Sequence, residues 1–320
     1  MEGVFLIVPI LLVMFNIFLL IFPQTVLTAS REGLLLWFNH VLPTLLPFMI
    51  ATNMLIALGF AEFIAELLSP VMKKIFGLPG AAGFGLVMGL TTGYPMGAKT
   101  VADLRRRGRL TADEAQHLLQ FCNNAGPLFI LGVVGAGMFQ NVRVGYLLWA
   151  AHVCSALLIG VLFRKTRNKG RLPETVSLGA ILKKYRENRL SNVHSVGEVL
   201  GNAVTNAMES MVFIGGIIIF FRVVLAVFET IGLPPGTISH GILSGAIEVT
   251  SGASRISAIP VSKISLAAAA FVIGFGGLAV HAQAFHFTAG LGIKNGKYLW
   301  AKFLHGIFAA VITVLLFAVT

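Results

Sequence analysis

Charge is scarce in this chain, and so are the motifs of enzymatic chemistry. Only 12% of its 320 residues are charged, and acids are the rarer sign, 13 against 24 basic residues. The two cysteines, Cys122 and Cys154, stand apart in apolar stretches with no C-x-x-C spacing, which removes the paired-cysteine motifs and leaves them as inert small apolar residues. A Walker phosphate loop, H-E-x-x-H and G-x-S-x-G are all missing, which argues against an ATPase or hydrolase. The expected protein is therefore not an enzyme and carries no cofactor. The excess of 11 positive charges lies in short loops between apolar segments, not on one soluble domain, so it fits topology signals and anionic headgroups and excludes a nucleic-acid partner.

What the chain has instead is hydrophobicity: 56% of residues are hydrophobic and the mean hydropathy is +0.86, the composition of a polytopic membrane protein. Val4 to Phe22 is long enough to span and lacks the basic leader of a secretory signal, so it reads as a retained helix, with a loop to residue 32. Leu34 to Leu58 is a second span, kinked by Pro43 and Pro47. Phe60 to Phe76 mixes Glu62, Glu66, Lys73 and Lys74 with apolar residues and suits a helix in the interface.

The stretch Gly89-Leu-Thr-Thr-Gly-Tyr-Pro-Met-Gly-Ala-Lys-Thr100 cannot be part of a simple spanning helix. Residues 83 to 91 are too few to cross about 30 Å of hydrocarbon, and Gly93, Pro95 and Gly97 interrupt it. A re-entrant hairpin over about 78–107 is expected, its tip lining a cavity. Residues 111–138 then read as one discontinuous span: Thr111 and Glu114 form a capping box, and Cys122-Asn-Asn-Ala-Gly-Pro127 breaks the helix. Tyr146 to Phe163 is the next span. Residues 164–194 form a polar linker with nine basic residues against Glu174 and Glu187. After Val196 to Val227 comes a second short segment, a hairpin over about 234–258. A long segment over 262–289 follows, interrupted at Gly274-Phe-Gly-Gly277, and Trp300 to Phe317 closes the chain.

An internal repeat orders these pieces. Gly77-Leu-Pro79 matches Gly232-Leu-Pro234 and Gly97-Ala98 matches Gly252-Ala253 at a spacing of 155, while Gly126-Pro-Leu matches Gly277-Leu-Ala and Gly145 with Leu148-Trp-Ala150 matches Gly296 with Leu299-Trp-Ala301 at 151. Residues 33–163 and 195–320 each read as helix, hairpin, broken helix, helix. With the linker in the cytoplasm, Lys73, Lys74, Arg105 to Arg109, Lys294, Lys297 and Lys302 fall inside as well. Arg31, Arg143, Arg222 and Lys263 remain outside. The N-terminus is then cytoplasmic, the C-terminus external and the two hairpins enter from opposite sides. The expected fold is an all-α polytopic membrane protein with inverted-topology repeats, each with a re-entrant hairpin and a discontinuous helix.

In the first hairpin the returning arm starts near Pro95, with Thr92 or Tyr94 available as cap, and in the second Thr250 and Ser251 are the candidate caps. Each arm would point a positive N-terminus with free N–H groups at the midplane, which favours an anion. Lys99 and Arg255 lie one turn further on and either flank a small dianion or pair elsewhere, Lys99 with Asp103 for instance. Asn123 and Asn124 bond either the freed backbone or a ligand. His281 and Gln283 are the polar groups beyond the second break at Gly277, and His281 is either a site residue or a packing residue. Glu209 and Glu248 are candidates for proton or cation coupling, or Glu248 pairs with Arg255. His152, His286 and His305 read as packing or interface residues.

Thr92 to Lys99, Phe121-Cys-Asn-Asn-Ala-Gly-Pro-Leu-Phe-Ile130 and Gly274-Phe-Gly-Gly-Leu-Ala-Val-His-Ala-Gln283 resemble the YlbJ family of sporulation integral membrane proteins, over nearly the whole chain. The resemblance implies a place among the nucleoside-recognition "gate" proteins. It also implies movement of dipicolinate, pyridine-2,6-dicarboxylate, into the developing spore, and so the cytoplasmic or outer forespore membrane. More distantly the order of elements is similar to the core of concentrative nucleoside transporters. There the substrate lies between two hairpin tips and two broken helices, which implicates Thr92, Gly93, Tyr94, Pro95, Asn123, Asn124, Glu248 to Ser251 and Gly277. Those transporters carry a Gln-Thr-Glu type tip where this chain has Thr92-Gly-Tyr-Pro95, and with the paired cations this favours a dicarboxylate. The expected function is a secondary transporter of a small heterocyclic anion working by alternating access, with dipicolinate first. An ion-coupled nucleoside or nucleobase carrier and a non-transporting membrane sensor or assembly protein are the alternatives. The coupling ion is left between proton and sodium, and a homo-oligomer is left open.

Overall fold

A computed structural model of the chain describes residues 2–58, 60–164, 195–230, 232 and 236–318. The basic linker expected at 164–194 lies, but for Arg164, outside the described residues, as does Leu233-Pro234-Pro235 at the start of the second hairpin.

The described residues form helices and no strands. In α1 (Glu2–Ile21), Ile10 to Met14, Ile17, Leu20 and Ile21 are exposed, Leu20 by 81%, as on a lipid-facing helix. Residues 23–32, expected as a loop, are helical instead. Pro23 stands at the first position of α2 (Pro23–Leu36), where its missing N–H costs nothing, and the chain turns through 101° between the two helices. The expected kink at Pro43 and Pro47 is preceded by a widened π turn, Trp37–Val41, before α3 (Leu42–Ala57).

α4 (Phe60–Val71) continues through a second π turn, Met72–Phe76, and bends by 90° into α5 (Ala81–Thr91). α5 and α6 (Met96–Arg106) are 11 residues each, about 17 Å long, too short to cross a bilayer, and they pack on each other. α7 (Ala112–Cys122) begins with the expected capping box: Glu114 N–H donates to Thr111 Oγ1 at 3.2 Å, and Thr111 N–H to Glu114 Oε2 at 2.8 Å. It stops at Asn123, and a π-helical segment, Leu128–Met138, resumes after Pro127. α8 (Val142–Leu162) is capped by Asn141.

The second half starts with α9 (Val196–Thr230), whose 35 residues run about 52 Å along α2 and α3. α10 (Ile238–Ile247) and α11 (Val249–Ser257) are again a short, mutually packed pair. α12 (Lys263–Phe275) and α13 (Gly277–Thr288) are separated by Gly276, and α14 (Asn295–Phe317) ends the described chain. Consecutive positive φ values, 92° at Gly276 and 77° at Gly277, end α12 and start α13, a backbone open to glycine at little cost.

Among the described residues four helices, α8, α9, α12 with α13, and α14, are long and apolar enough to cross a membrane, or up to six spans if each bent pair counts as one. Smaller cores around Met211 and Val223 pack α9 on α3 and α2, and two larger ones hold the rest. One joins α5, α6, α7 and α14 around Phe121, Leu118 and Tyr298; the other joins the π-helical segment, α8, α11 and α12 around Ile130, Leu148 and Leu266. The short pairs cross between the halves: α6 packs on α13, and α11 packs on Leu128–Met138.

Candidate functional site

Four interruptions of helix meet at one place. They are the loop Thr92 to Pro95, the break from Asn123 to Pro127, the turn at Glu248 and the turn at Gly276-Gly277. A cavity of about 120 Å³ lies against them, lined on the polar side by Thr92, Tyr94, Glu248, Thr250 and Gln283. Its apolar wall comes from α3 and α9, through Leu45, Phe48, Ile214 and Ile218, and from Phe129 across the cavity. The lining is mostly apolar with a few polar groups, the usual make-up of a site for a small molecule.

The first tip sits hard against the first break. A Cβ on Gly89 would come to 1.7 Å from the Cys122 carbonyl oxygen and one on Gly97 to 2.3 Å, so only glycine lets the arms of the α5–α6 pair straddle that carbonyl. Gly93, at φ 88°, lies against Gly126. Thr92 does not cap the returning arm. Its hydroxyl donates back to the Met88 carbonyl at 2.5 Å, and Tyr94, which precedes the cis bond to Pro95, keeps its hydroxyl buried without a partner among the described residues. The arm is capped from across the fold: Ala98 N–H donates to Asn123 Oδ1 at 3.3 Å.

Asn123 and Asn124 are fully buried and belong to the break, not to the cavity wall. Asn123 Nδ2 donates to the Tyr298 hydroxyl at 2.7 Å, and Asn124 Nδ2 donates to the Phe121 carbonyl at 2.8 Å. Asn124 thus satisfies a carbonyl that the broken helix leaves free, and Asn123 ties the break to α6 and α14.

On the second tip, the cap expected from Thr250 or Ser251 is supplied by Glu248. Its carboxylate accepts from Thr250 N–H and Ser251 N–H, each at 2.8 Å, and from Ser251 Oγ at 2.7 Å. Free N–H groups at the start of α11 were expected to face a ligand; a carboxylate occupies them, because an acid in that position neutralises the helix terminus. Ser251 is also bonded by Arg222, which pairs with Glu32. Helix starts without a side-chain cap among the described residues lie instead at Leu128 and at Gly277, both beside the cavity, which Gly126, Leu128, Ala279 and Val280 help to line.

The two cations do not flank one cavity. Lys99 Nζ donates to Ser210 Oγ on α9 at 2.9 Å and, with Asp103, Arg106 and Glu209, lines a separate polar cavity of about 760 Å³. Arg255 turns to Glu229 at the end of α9, so the pairing of Glu248 with Arg255 is not made either. Side-chain length explains this: one turn beyond each tip, a long cation reaches a polar partner on α9 and need not enter the mostly apolar cavity. Glu209 is likewise on the larger cavity and Glu248 on the smaller. His281 is 1% exposed and contacts the Tyr298 hydroxyl at 3.4 Å, whereas Gln283, two residues on, reaches the cavity.

Lys302, counted by its charge among the cytoplasmic-side residues, is 1% exposed and lies behind the first break. Its Nζ donates to the Asn123 carbonyl at 2.9 Å and lies 2.8 Å from His305 Nδ1, so His305 and its neighbour His152 belong to a polar cluster and not to simple packing. The available signal was its spacing: Tyr298, Lys302 and His305 lie on one face at i, i+4 and i+7.

A family model described as nucleoside recognition, Gate, matches residues 38–166, which include the first tip and the first break. Among curated proteins, the sporulation integral membrane protein YlbJ of Bacillus subtilis (strain 168) is 35% identical over 318 residues, covering 92% of this chain and 78% of the relative. No solved structure matches.

Proposed function

The chain belongs to the YlbJ family of sporulation integral membrane proteins, and from that membership we propose that it is a secondary transporter of a small heterocyclic anion, dipicolinate first. The observation that carries this reading is the cavity at which the four helix interruptions converge. Broken backbone is expensive in a bilayer unless protein or ligand satisfies it, and in carriers such breaks surround the substrate.

The ring would lie between Phe129 and the aliphatic wall of α3 and α9, with its carboxylates toward the uncapped starts of Leu128–Met138 and α13. Backbone N–H groups and helix dipoles, not lysine or arginine, then supply the positive field. The hairpins are re-entrant and the halves are inverted repeats, a reading supported by the short pairs α5–α6 and α10–α11 and by the way each packs on the broken helix of the other half. Positive charge at Lys73, Lys74 and Arg105 to Arg109 supports a cytoplasmic location for that face and for the N-terminus, with the C-terminus outside. During sporulation the membrane is the outer forespore membrane. Alternating access moves the tips about the fixed cavity, and the polar cavity at Lys99 and Glu209 is the cytoplasmic approach to it.

A nucleoside or nucleobase carrier is the second reading, favoured by Glu248, Thr250 and Gln283 at the cavity and by the nucleoside-recognition match. Uptake of labelled dipicolinate and of uridine into proteoliposomes of the purified protein decides. Saturable dipicolinate flux is expected; uridine flux alone selects the second reading, and no flux of either in a folded protein leaves a sensor or assembly protein.

A further inference from the structure

Lys302 is an amine with no acid to pair with among the described residues. α14 packs on α7, α8 and α12. From these elements the ionisable groups near Lys302 are Cys122, His152 and, on α14 itself, His305 and Tyr298; His281 faces it from α13. Among the described residues none of these is a carboxylate. α12 carries only Lys263, at its first residue, and the acids of α7, Asp113 and Glu114, begin that helix, about 13–15 Å before Asn123 by helical rise. A buried charge without a counter-ion is costly, so something else must hold it.

That something is the C-terminal end of α7. Its last carbonyls are individually accounted for: Phe121 accepts from the Asn124 amide, Cys122 is straddled by Gly89 and Gly97, and Asn123 accepts from Lys302. The carbonyl end of a half-helix is the place where ion-coupled carriers hold a metal cation, because the dipole is negative there. Here a tethered ammonium stands in that position.

The backbone also fixes the neighbouring histidines. His305 Nε2 donates to the His152 carbonyl at 3.0 Å, so its Nδ1 is the acceptor that faces Lys302. His152 Nε2 accepts from Ala125 N–H at 3.0 Å, so a neutral ring carries its proton on Nδ1, which has no partner among the described residues. Both rings are neutral in this arrangement, and Lys302 is the group whose proton decides the charge of the cluster. Its two contacts lead straight to the break: the Asn123 carbonyl on one side, and on the other, through His305 and His152, the Ala125 amide. The next residue, Gly126, lies against Thr92 and Gly93 at the cavity.

We propose that Lys302, His305 and His152 form a proton-binding site that takes the place of a sodium site at the first break, so that the break, and through it the first tip, responds to pH and not to sodium. The site rests on the geometry of the break and stands whether or not the cavity carries dipicolinate.

The test is thermal melting of the full chain in detergent from pH 5 to 9, in sodium chloride and in choline chloride at equal ionic strength. Wild type is expected to show the same melting curve in both salts and a pH-dependent change in Tm. Lys302→Arg, which keeps the charge but cannot release a proton, and His305→Gln are each expected to lose more than half of that change. Lys302→Met is expected to lower Tm at every pH below the step. A sodium-specific rise in wild-type Tm overturns the proposal, and so does a wild-type pH profile retained in both Lys302→Arg and His305→Gln. If Lys302→Arg does not fold, His305→Gln decides by itself. Absence of dipicolinate flux with this pH pattern intact would retire the substrate, not the proton site.

Discussion

The two breaks at the cavity solve one problem in different ways. At the first, side chains do the bonding: Asn124 reaches the Phe121 carbonyl and Lys302 the Asn123 carbonyl at the end of α7, while Asn123 caps α6 at Ala98 and holds Tyr298. At the second, backbone conformation does the work. Gly276 and Gly277 turn the chain, and the facing tip closes on itself through Glu248. The first break is tied into a polar network that includes Lys302; the second is built on two glycines, with Glu248 capping the facing tip locally. On the proton-site proposal, regulation lies with the first half and the second half frames the cavity.

The largest effect is expected where the first tip meets its break. Gly89→Ala places a methyl 1.7 Å from a backbone carbonyl that cannot move without disturbing α7, so a loss of about 3 kcal/mol or more and no measurable uptake are expected. A variant that melts within a degree or two of wild type would show that the arms of the first hairpin do not close on Cys122. Next is Asn123→Ala, which strands the Ala98 N–H and removes the amide held by Tyr298. Burial makes this worth about 2–3 kcal/mol. Asn123→Asp keeps the acceptor and should recover part of it; equal Tm for both substitutions would mean that the cap on Ala98 contributes nothing.

Much of this framework was legible in order of residues. Apolar length separated α5 and α6 from spanning helices, the Thr111–Glu114 box set the start of α7, and Gly-Pro and Gly-Gly marked both breaks. Thr92, Tyr94, Glu248, Thr250 and Gln283 are found on the cavity because tips and breaks had to converge for their backbone to be satisfied. Where a long side chain turns was not legible. Lys99, Arg255 and Lys302 were placed by chain position, whereas a flexible cation goes to whichever polar atom the tertiary fold brings within about four methylenes. Ser210, Glu229 and Asn123 respectively are those partners, at separations of 111, 26 and 179 residues that local spacing does not reveal.

Glu248 sharpens the contrast between the halves. If it frames the second tip, Glu248→Gln keeps one acceptor for the start of α11 and should cost about 1 kcal/mol, with dipicolinate uptake still saturable and its dependence on pH unchanged. If the second half carried the coupling proton, the same substitution would abolish concentrative uptake and flatten the pH profile. Comparison of Glu248→Gln with Lys302→Arg in the same vesicles therefore asks which half holds the proton.

The smallest effect is expected at the two cations once assigned to the substrate. Arg255 leaves the cavity to meet Glu229, so Arg255→Gln should lower stability by about 1 kcal/mol and leave the half-saturating dipicolinate concentration unchanged. Lys99 lines the larger polar cavity with Arg106 and Arg107 and with Asp103, Glu198 and Glu209, and on the proposed reading its charge would attract an anion without touching it at the tips. Lys99→Gln should then slow uptake on the order of threefold at low ionic strength, and the deficit should vanish at high salt, because attraction over such distances is screened there. A loss of tenfold or more that persists at high salt would place Lys99 on the bound substrate. It would also require the first hairpin to swing its arm from Ser210 toward the cavity during transport, which would make the first half the source of the dianion's charge partner as well as of its proton.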